Sequence, residues 1–252
     1  MSSLLIDIGN SRLKWAIKRR DRLEVGRPLL PLNGEFDFDR IWKDLEPPAR
    51  ILVSNVSGEG TDRILRQWIQ AQWPVSVEFI HSCGKGYGIE NGYRNPERLG
   101  VDRWVVIVAA RAMFKAPVCV VDCGTAITAD VLDDLGRHQG GVICPGVKLM
   151  RDALIRRTPK LSFEGVAPGG LLGLDTGSGI YRGTLTAAAG LIEKLLEEAE
   201  QSLNIKLKLL ITGGDAELVM QRLRVEYTHI PDLVLQGLAV IESSGESAAA
   251  KD

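Results

Sequence analysis

One short pattern occurs twice in this chain and constrains its fold more than any other feature. An apolar run ends in Asp-x-Gly, a residue with a hydroxyl or amide group follows within two positions, and alternating apolar and polar residues come next. The two copies are Leu4–Trp15 and Val118–Leu132. The apolar run predicts a buried strand and the alternation predicts a half-buried one, so each copy predicts a β-hairpin. Two such hairpins, each opening about half of the chain, predict a duplicated architecture.

The tips of the two hairpins carry groups that bind phosphate. The residues of the first tip are Asp7, Gly9, Asn10 and Ser11. Those of the second are Asp122, Gly124 and Thr125. Main-chain N–H groups and small polar side chains donate hydrogen bonds to phosphate oxygens, and a carboxylate binds a metal ion. Because Asp-x-Gly is also common turn chemistry, a pair of ordinary hairpin turns is the alternative interpretation.

The motifs of two common nucleotide-binding classes do not occur in the sequence. It contains neither G-x-x-x-x-G-K-[ST] nor a G-x-G-x-x-G between a strand and a helix, which argues against a P-loop enzyme and a Rossmann dehydrogenase. Phosphoryl transfer mainly requires charge neutralisation and alignment, which two facing loops with nearby acids supply. The sequence therefore favours a phosphotransferase.

A kinase also needs a group that accepts the proton of the acceptor hydroxyl, and Asp102 is the candidate. Its neighbour Arg103 lies near a predicted helix start, where the dipole disfavours a cation, which indicates an anionic ligand. The alternative is a surface acid or helix cap that forms a salt bridge with Arg103. Asn95 and Pro96 predict the cap and first residue of this helix, which would continue to Phe114. A final helix is predicted over Asp232–Ile241.

Composition and charge narrow the class of protein. The chain has 252 residues, 45% apolar and 25% charged, which is typical of an ordinary globular protein. A net charge of −1 gives no general attraction to nucleic acid. The longest uncharged apolar runs are too short to span a membrane, and the N-terminus lacks the layout of a signal peptide. We therefore expect a cytoplasmic protein without nucleic-acid or membrane partners.

The two loops resemble the phosphate-binding hairpins of the acetate and sugar kinase, Hsp70 and actin superfamily. Asp7-Ile8-Gly9-Asn10-Ser11 resembles the first phosphate loop of type III pantothenate kinases. Glu97-Arg98-Leu99-Gly100-Val101-Asp102-Arg103 resembles the E-x-x-G-x-D-R pantothenate motif of that family. Asp122-Cys123-Gly124-Thr125 resembles its second phosphate motif, and the segment from Gly140 to Gly146 its G-G-x-I-x-P-G turn.

This resemblance implies an α/β fold of two similar actin-like, ribonuclease-H-like halves with mixed sheets. The expected halves are 1–115 and 116–252, with ATP in the cleft between them. The implied reaction is ATP-dependent phosphorylation of pantothenate to 4′-phosphopantothenate, the first step of coenzyme A biosynthesis. A homodimer is also implied.

The resemblance implies an acceptor site in which Asp102 takes the proton. The residues expected to bind pantothenate are Tyr93, Gly100, Val101, Asp102, Arg103 and Thr176. At Thr176 the match is incomplete, since Asp175 precedes it where the family more often has Asn. From the chemistry of its side chain, Arg103 holds either the pantothenate carboxylate or the transferring phosphoryl group, and the first role is favoured.

On the nucleotide side the resemblance implies contacts from both loops and from a third segment. The expected ATP-binding residues are Asp7, Gly9, Asn10, Ser11, Gly124, Thr125, Gly213, Gly214 and Asp215. A strand-to-helix turn capped by Asp215 is the alternative reading of that third segment. Lys14 is added for its chemistry alone, since the family does not fix a lysine there. Asp122 is expected to bind a monovalent cation, potassium or ammonium, and Asp7 to bind the magnesium that accompanies ATP.

Two other functions stay open. A sugar or acetate kinase with the same core would carry a different acceptor segment. A non-catalytic nucleotide-binding regulator on the same scaffold would be expected to lose the acid at position 102 or one of the loops, and the sequence retains both.

Overall fold

The computed structural model describes residues 2–20, 22–32, 34–157 and 170–245. Its contacts divide the chain into two compact units. Unit 1 comprises the described residues of 1–115, 135–138 and 232–252, and unit 2 those of 116–134 and 139–231. The predicted division after residue 115 did not include the two later segments that belong to unit 1.

Twelve strands and seven α-helices are assigned in the described residues. The strands are β1 (Ser2–Ile8), β2 (Leu13–Arg19), β3 (Arg22–Val25), β4 (Arg50–Asn55), β5 (Val77–Phe79), β6 (Lys85–Gly86), β7 (Ile89–Glu90), β8 (Val118–Cys123), β9 (Ala126–Leu132), β10 (His138–Pro145), β11 (Lys208–Thr212) and β12 (Thr228–His229). The helices are α1 (Asp39–Trp42), α2 (Glu59–Gln72), α3 (Val101–Met113), α4 (Val147–Arg157), α5 (Thr176–Leu203), α6 (Ala216–Met220) and α7 (Leu233–Ser244). None of these helices has the length and hydropathy needed to cross a bilayer.

The main sheet of unit 1 has the strand order β3-β2-β1-β4-β5. Strands β1, β2 and β3 are antiparallel, whereas β4 and β5 continue from β1 in parallel. Leu4, Ile6 and Ile8 are buried in one hydrophobic core with residues of α1 and α2. Because side chains alternate along a strand, Leu5 and Asp7 project from the opposite face, which α7 covers. Helix α3 packs against α7 and β4 on that side.

The main sheet of unit 2 repeats this arrangement. Its order is β10-β9-β8-β11-β12, with β8 and β9 antiparallel and β11 and β12 parallel to β8. Inward-facing residues of β8, β9 and β11 form a core with α5 and α6. The expected α/β fold with two similar mixed sheets is therefore confirmed, and each hairpin found in the sequence forms the centre of one sheet.

The start of α3 differs from the prediction. Pro96–Arg98 form one turn of 3₁₀ helix, and Leu99 and Gly100 then have ψ angles of 129° and 133°, which are not helical. The continuous helix predicted from Asn95 is therefore wrong, because an extended pair of residues separates the proline signal from α3. This break places Asp102 in the first turn of α3.

Candidate active site

The first predicted phosphate loop is a tight turn between β1 and β2. The strands stay paired up to Ile8 and Leu13, and the Gly9 N–H donates to the Arg12 carbonyl oxygen at 3.1 Å. Asn10 and Ser11 are exposed at the tip. Asp7 is half-buried, and its Oδ1 accepts a hydrogen bond of 3.3 Å from the Oγ of the fully buried Ser54 on β4. The loop thus presents exposed donors beside a carboxylate that is oriented by the sheet.

Lys14 lies opposite Asp7 in the β1–β2 register. Its Nζ is 3.2 Å from Oδ1 of Asp232, the residue that precedes α7 and has a left-handed φ of 53°. The ammonium of Lys14 therefore already has an anionic partner. A contact between Lys14 and phosphate stays a prediction, and such a contact would compete with Asp232.

The acceptor motif surrounds the N-terminus of α3. Oδ1 of Asp102 accepts a hydrogen bond from the Arg103 main-chain N–H at 2.8 Å. A Cβ added to Gly100 would lie 2.6 Å from the same oxygen, so the glycine leaves the space that the Asp102 carboxylate occupies. Val101, the first residue of the helix, is partly exposed. The motif therefore gives one carboxylate a defined orientation.

Tyr93 and Arg103, predicted for one pocket, are in direct contact. Arg103 is only 5% exposed, and its Nη1 donates to the Tyr93 hydroxyl at 2.5 Å. Its guanidinium carbon lies 5.3 Å from the centre of the Tyr93 ring. The Tyr93 main-chain N–H donates to Oδ1 of the buried Asn91. Nδ2 of Asn91 donates to the carbonyl oxygens of Cys83 and Pro96. Asn91 thus holds three main-chain groups of this loop together. The sequence did not indicate this role, because a single Asn in a glycine-rich segment forms no recognisable motif.

His138 is a second residue that sequence reasoning missed. Its ring stacks on Tyr93 with the centroids 5.8 Å apart and the planes inclined by 16°, and the side chain is 2% exposed. The sequence contained no signal for this contact, because His138 lies far from Tyr93 in the chain and shares no motif with it.

Three segments of unit 2 converge beside Asp122, at the end of β8. The Gly124 N–H donates to the Ala126 carbonyl oxygen at 3.0 Å, which closes the hairpin turn. The Gly146 N–H donates to the Thr125 carbonyl oxygen, and the Asp215 N–H donates to the Cys123 carbonyl oxygen, each at 2.9 Å. The structure therefore brings together the second predicted phosphate loop, the proline-glycine turn and the segment around Gly213, which sequence reasoning had assigned separately.

Two glycines make this convergence possible. Gly213 has a φ of +104°, and a Cβ there would lie 2.4 Å from both Asp122 Oδ1 and the Cys123 carbonyl oxygen. A Cβ at Gly146 would lie 2.2 Å from the Gly124 carbonyl oxygen. Such distances exclude a side chain unless the main chain moves. The loops are consequently packed against each other by main-chain contact.

The surroundings of Asp122 are electronegative. The pKa of the Cys123 thiol is raised to about 12, mainly by burial and in addition by the negative charges of Asp122 and Asp215. Gly214 is exposed beside them. Asp215 occupies the position before α6 but makes no side-chain capping bond, so the alternative reading of Asp215 as a helix cap lacks its hydrogen bond.

Thr176 is the exposed first residue of α5. Asp175 caps that helix: its Oδ1 accepts from the Ser178 N–H at 2.8 Å, and the Ser178 side chain donates back to it. This main-chain bond, together with the side-chain bond, lowers the pKa of Asp175. The Asp that departs from the family pattern therefore serves a local purpose.

The family follows from the match along the chain. The profile that describes type III pantothenate kinases matches residues 3–198. The chain belongs to the type III pantothenate kinase family. Members of this family are kinases, and the chain is an enzyme that uses ATP. The family expected from the motifs is confirmed.

Curated members of the type III pantothenate kinase family match over nearly the whole chain. The protein from Nitrosococcus oceani is 40% identical over 249 residues, which cover 94% of this chain and 92% of the relative. The protein from Alcanivorax borkumensis is 32% identical over 237 residues, which cover 93% of this chain and 96% of the relative. Both are named type III pantothenate kinase.

Solved structures support the fold. A Campylobacter jejuni protein assigned to the Baf family of transcriptional activators matches with a TM-score of 0.56 and 22% identity, covering 96% of this chain and 98% of that one. An activator of 2-hydroxyisocaproyl-CoA dehydratase from Clostridium difficile, with bound ADPNP, matches with a TM-score of 0.52 and 10% identity over 100% and 99% of the two chains. At these identities the likeness concerns the fold alone.

Proposed function

We propose that this member of the family transfers the γ-phosphoryl group of ATP to the primary hydroxyl of pantothenate. The product is 4′-phosphopantothenate, and the reaction is the first step of coenzyme A biosynthesis. The name shared by the curated relatives supports this assignment. The observation that carries it in the structure is the contact between Tyr93 and the buried Arg103, next to the carboxylate of Asp102.

The residues of the acceptor site have separate roles in this proposal. Asp102 accepts the hydroxyl proton, and its fixed orientation at the start of α3 supports that role. Arg103 binds the pantothenate carboxylate, because a buried guanidinium pairs favourably with an anion and offers several donors in one plane. Tyr93 and the main chain of Gly100 and Val101 form the wall of the pocket. Thr176, exposed at the start of α5, contributes its hydroxyl.

The nucleotide is held by the glycine-containing loops. Gly9, Asn10 and Ser11 bind phosphate from unit 1, and Asp7 binds the magnesium ion that accompanies ATP. The residues of unit 2 that bind ATP are Gly124, Thr125, Gly213, Gly214 and Asp215. Exposed donors in the first loop and close main-chain packing in the second support this division.

Asp122 is proposed to bind potassium or ammonium. Its carboxylate lies close to the Cys123 carbonyl oxygen, as the shared approach to Gly213 indicates. Oxygen donors of this kind suit a hard cation, and a carbonyl that accepts one hydrogen bond keeps a second lone pair. Among the described residues no three His, Cys, Asp or Glu side chains cluster as a metal site, so main-chain oxygens would complete the set. When bound, the cation offsets negative charge beside the phosphates.

We also propose a homodimer in the cytoplasm. Ile143 is 61% exposed on β10, which is an edge strand, and Leu154 is 45% exposed on α4. Exposed apolar side chains on an edge strand and the helix that follows it are typical of a surface that another chain covers. The four cysteines are free thiols, as in a reducing compartment. Sedimentation equilibrium tests the dimer, and a monomer at all micromolar concentrations would contradict it.

The deciding experiment is a pantothenate-dependent ADP-release assay, run with and without potassium. We expect ADP release only when pantothenate is present, and faster release with potassium. A panel of acceptors in the same assay tests the main alternative. Efficient turnover of a sugar or acetate without turnover of pantothenate would show that the chain is a different kinase. Nucleotide binding without turnover of any acceptor would instead favour a regulator.

A further inference from the structure

Four residues at the end of the β9–β10 connection, Leu135–His138, belong to unit 1, although the residues on both sides of them belong to unit 2. The last of them, His138, is the first residue of β10. Their contacts are with β7 and the turn that precedes it. The Glu90 N–H donates to the Gly136 carbonyl oxygen at 2.9 Å, and Glu90 forms an isolated parallel bridge with Arg137. We refer to Leu135–His138 as the docking segment.

Gly136 allows the docking segment to pack closely against the rest of unit 1. Its φ is +83°, and a Cβ there would lie 2.2 Å from the Gly88 carbonyl oxygen and 3.2 Å from Nε of Arg111. The Gly88 oxygen is main chain, so it cannot move aside cheaply. A left-handed φ already disfavours other residues. The position therefore requires glycine for both conformation and space, which indicates a specific fit.

His138 is the residue that this fit places against the acceptor pocket. It is almost fully buried, and its ring stacks on Tyr93 nearly in parallel. The Tyr93 hydroxyl in turn accepts the hydrogen bond from Arg103. The Tyr93 ring is thus held on its face by His138 and at its hydroxyl by Arg103. A tyrosine constrained at two points retains little rotational freedom, which suits a residue that shapes a binding pocket.

We propose that the docking segment is part of the acceptor site, and that His138 is a positioning residue that fixes Tyr93 and, through it, the guanidinium of Arg103. This inference rests on the proposed function, since it assigns Tyr93 and Arg103 to pantothenate. His138 acts by packing and orientation and takes no part in proton transfer. Loss of His138 should therefore weaken the binding of the acceptor and leave the binding of the nucleotide unchanged.

His138→Ala and Gly136→Ala test whether packing of the docking segment positions Tyr93. His138→Phe tests whether the polar atoms of the His138 ring are needed. His138→Ala removes the stacked ring, and His138→Phe keeps a ring but no polar atom. Gly136→Ala displaces the docking segment without altering His138. The matched controls are His81→Ala, at an exposed histidine of unit 1, and Gly34→Ala, at a glycine with a similar φ of +87° and no atom within 4 Å of an added Cβ. For each protein, kcat, both KM values and the melting temperature are measured.

We expect His138→Ala and Gly136→Ala to raise the KM for pantothenate by about 3- to 10-fold, the range for loss of one aromatic pair. The KM for ATP and kcat stay within about 2-fold. His138→Phe keeps the wild-type KM for pantothenate. Both controls keep the wild-type KM values, although Gly34→Ala lowers the melting temperature, because its φ of +87° disfavours alanine.

Four results would overturn the inference. Equal changes in both KM values, or a lower melting temperature with unchanged KM for pantothenate, would show that the segment only stabilises the fold. Failure of both His138→Ala and Gly136→Ala to fold would show the same. A raised KM for pantothenate in His138→Phe would show that His138 acts through its polar atoms and not through packing of its ring. If the wild type does not use pantothenate at all, the proposed function itself fails, which is a separate outcome.

Discussion

The carboxylate of Asp102 is oriented by a hydrogen bond from the Arg103 main-chain N–H, and an asparagine side chain can accept the same bond. In Asp102→Asn the side-chain oxygen still accepts from the Arg103 N–H, so the local structure persists while the proton acceptor is lost. We expect kcat to fall by about 10²- to 10⁴-fold, the usual contribution of a general base, with unchanged ATP affinity. Steady-state kinetics and ATP titration calorimetry measure the two effects, with Asp44→Asn, at an exposed acid, as the control. Near-normal turnover would remove Asp102 from this role.

The absence of a side chain at Gly100 leaves room for the Asp102 carboxylate, and Gly100→Ala tests whether that room is needed for catalysis. In Gly100→Ala the added Cβ collides with Oδ1 of Asp102, which is the end of a side chain and can rotate away. The fold is therefore little affected, but the base is displaced from its position. We expect kcat to fall by about 10-fold or more, because misplacement of about 1 Å is costly in catalysis, while the melting temperature stays near that of wild type. A normal kcat would show that the Asp102 orientation seen here is not the catalytic one.

Arg103 distinguishes acceptor binding from transition-state stabilisation. If it holds the pantothenate carboxylate, Arg103→Met weakens pantothenate binding by about 1.5–3 kcal/mol, the range for hydrogen bonds to charged groups. The KM then rises with little change in kcat. The variant also loses preference for pantothenate over an uncharged pantothenamide, measured as the ratio of kcat/KM for the two acceptors. A fall in kcat with unchanged preference would assign Arg103 to the transferring phosphoryl group instead.

At the scale of elements, features that are local in sequence were predictable. Each hairpin was visible because its two strands and its turn are contiguous, and Pro96 correctly marked a helical turn. The extended pair Leu99 and Gly100 was not foreseen, because no turn residue other than one glycine marks it. The two-residue strand β12 is too short to leave a periodic pattern.

Features that depend on distant contacts were not predictable. The apolar pattern of α7 predicts a helix but not which sheet it covers, and it belongs to unit 1. The stacking of His138 on Tyr93 and the contact of Gly213 with Asp122 arise for the same reason. The motif residues were therefore identified from sequence, whereas the residues that position them needed the structure.

The C-terminal end of α7 is fixed to the sheet of unit 1 by Glu242. Its carboxylate accepts bonds of 2.7 Å from Ser3 on β1 and from Lys18 on β2. Arg50 on β4 donates to its main-chain oxygen at 3.0 Å. Burial alone would raise the pKa of Glu242, but the bonds from Lys18 and Ser3 and the nearby positive charges lower it overall. A lowered pKa means that the ionised form stabilises the fold above the unfolded-state pKa, about 4.3.

Glu242→Gln should therefore destabilise the protein in a pH-dependent manner. At pH 7 we expect a loss of about 1 kcal/mol, or about 2–4 °C in melting temperature. The difference from wild type shrinks as the pH falls through the folded-state pKa, since protonated Glu resembles Gln. Glu24→Gln, at a more exposed ion pair, is the control and changes little. A difference that is constant from pH 7 to pH 3 would contradict the assignment.

At the scale of the whole molecule, the two units place comparable groups on comparable elements. Both sheets have three consecutive strands on one side and two parallel strands on the other. Asp7 is the penultimate residue of β1 and Asp122 that of β8, so the central strand of each sheet places a carboxylate beside its loop. The units differ in what surrounds that acid: Ser54 donates to Asp7, whereas Gly213 and the Cys123 carbonyl oxygen approach Asp122. If each acid binds a cation as proposed, this difference in surroundings favours a different cation at each loop.

A cation at Asp122 predicts a stability effect that does not depend on turnover. Without it, the Asp122 carboxylate and an ATP phosphate near 4 Å would repel by roughly 4 kcal/mol at an effective dielectric near 20. Potassium should therefore strengthen ATP binding. If potassium lowers the dissociation constant of ATP tenfold, saturating ATP raises the unfolding free energy by about 1.4 kcal/mol more with potassium than without it. The melting temperature then rises by about 3–5 °C more.

The measurement compares the ATP-induced rise in melting temperature in potassium chloride and in tetramethylammonium chloride at equal ionic strength, because the bulky cation cannot enter an oxygen-lined site. We expect the larger rise in potassium. In Asp122→Asn the repulsion is absent and the carboxylate ligand is lost, so the rise should be the same in both salts. Equal rises in the wild-type protein, or a potassium effect that survives in Asp122→Asn, would place the cation elsewhere or remove it from nucleotide binding.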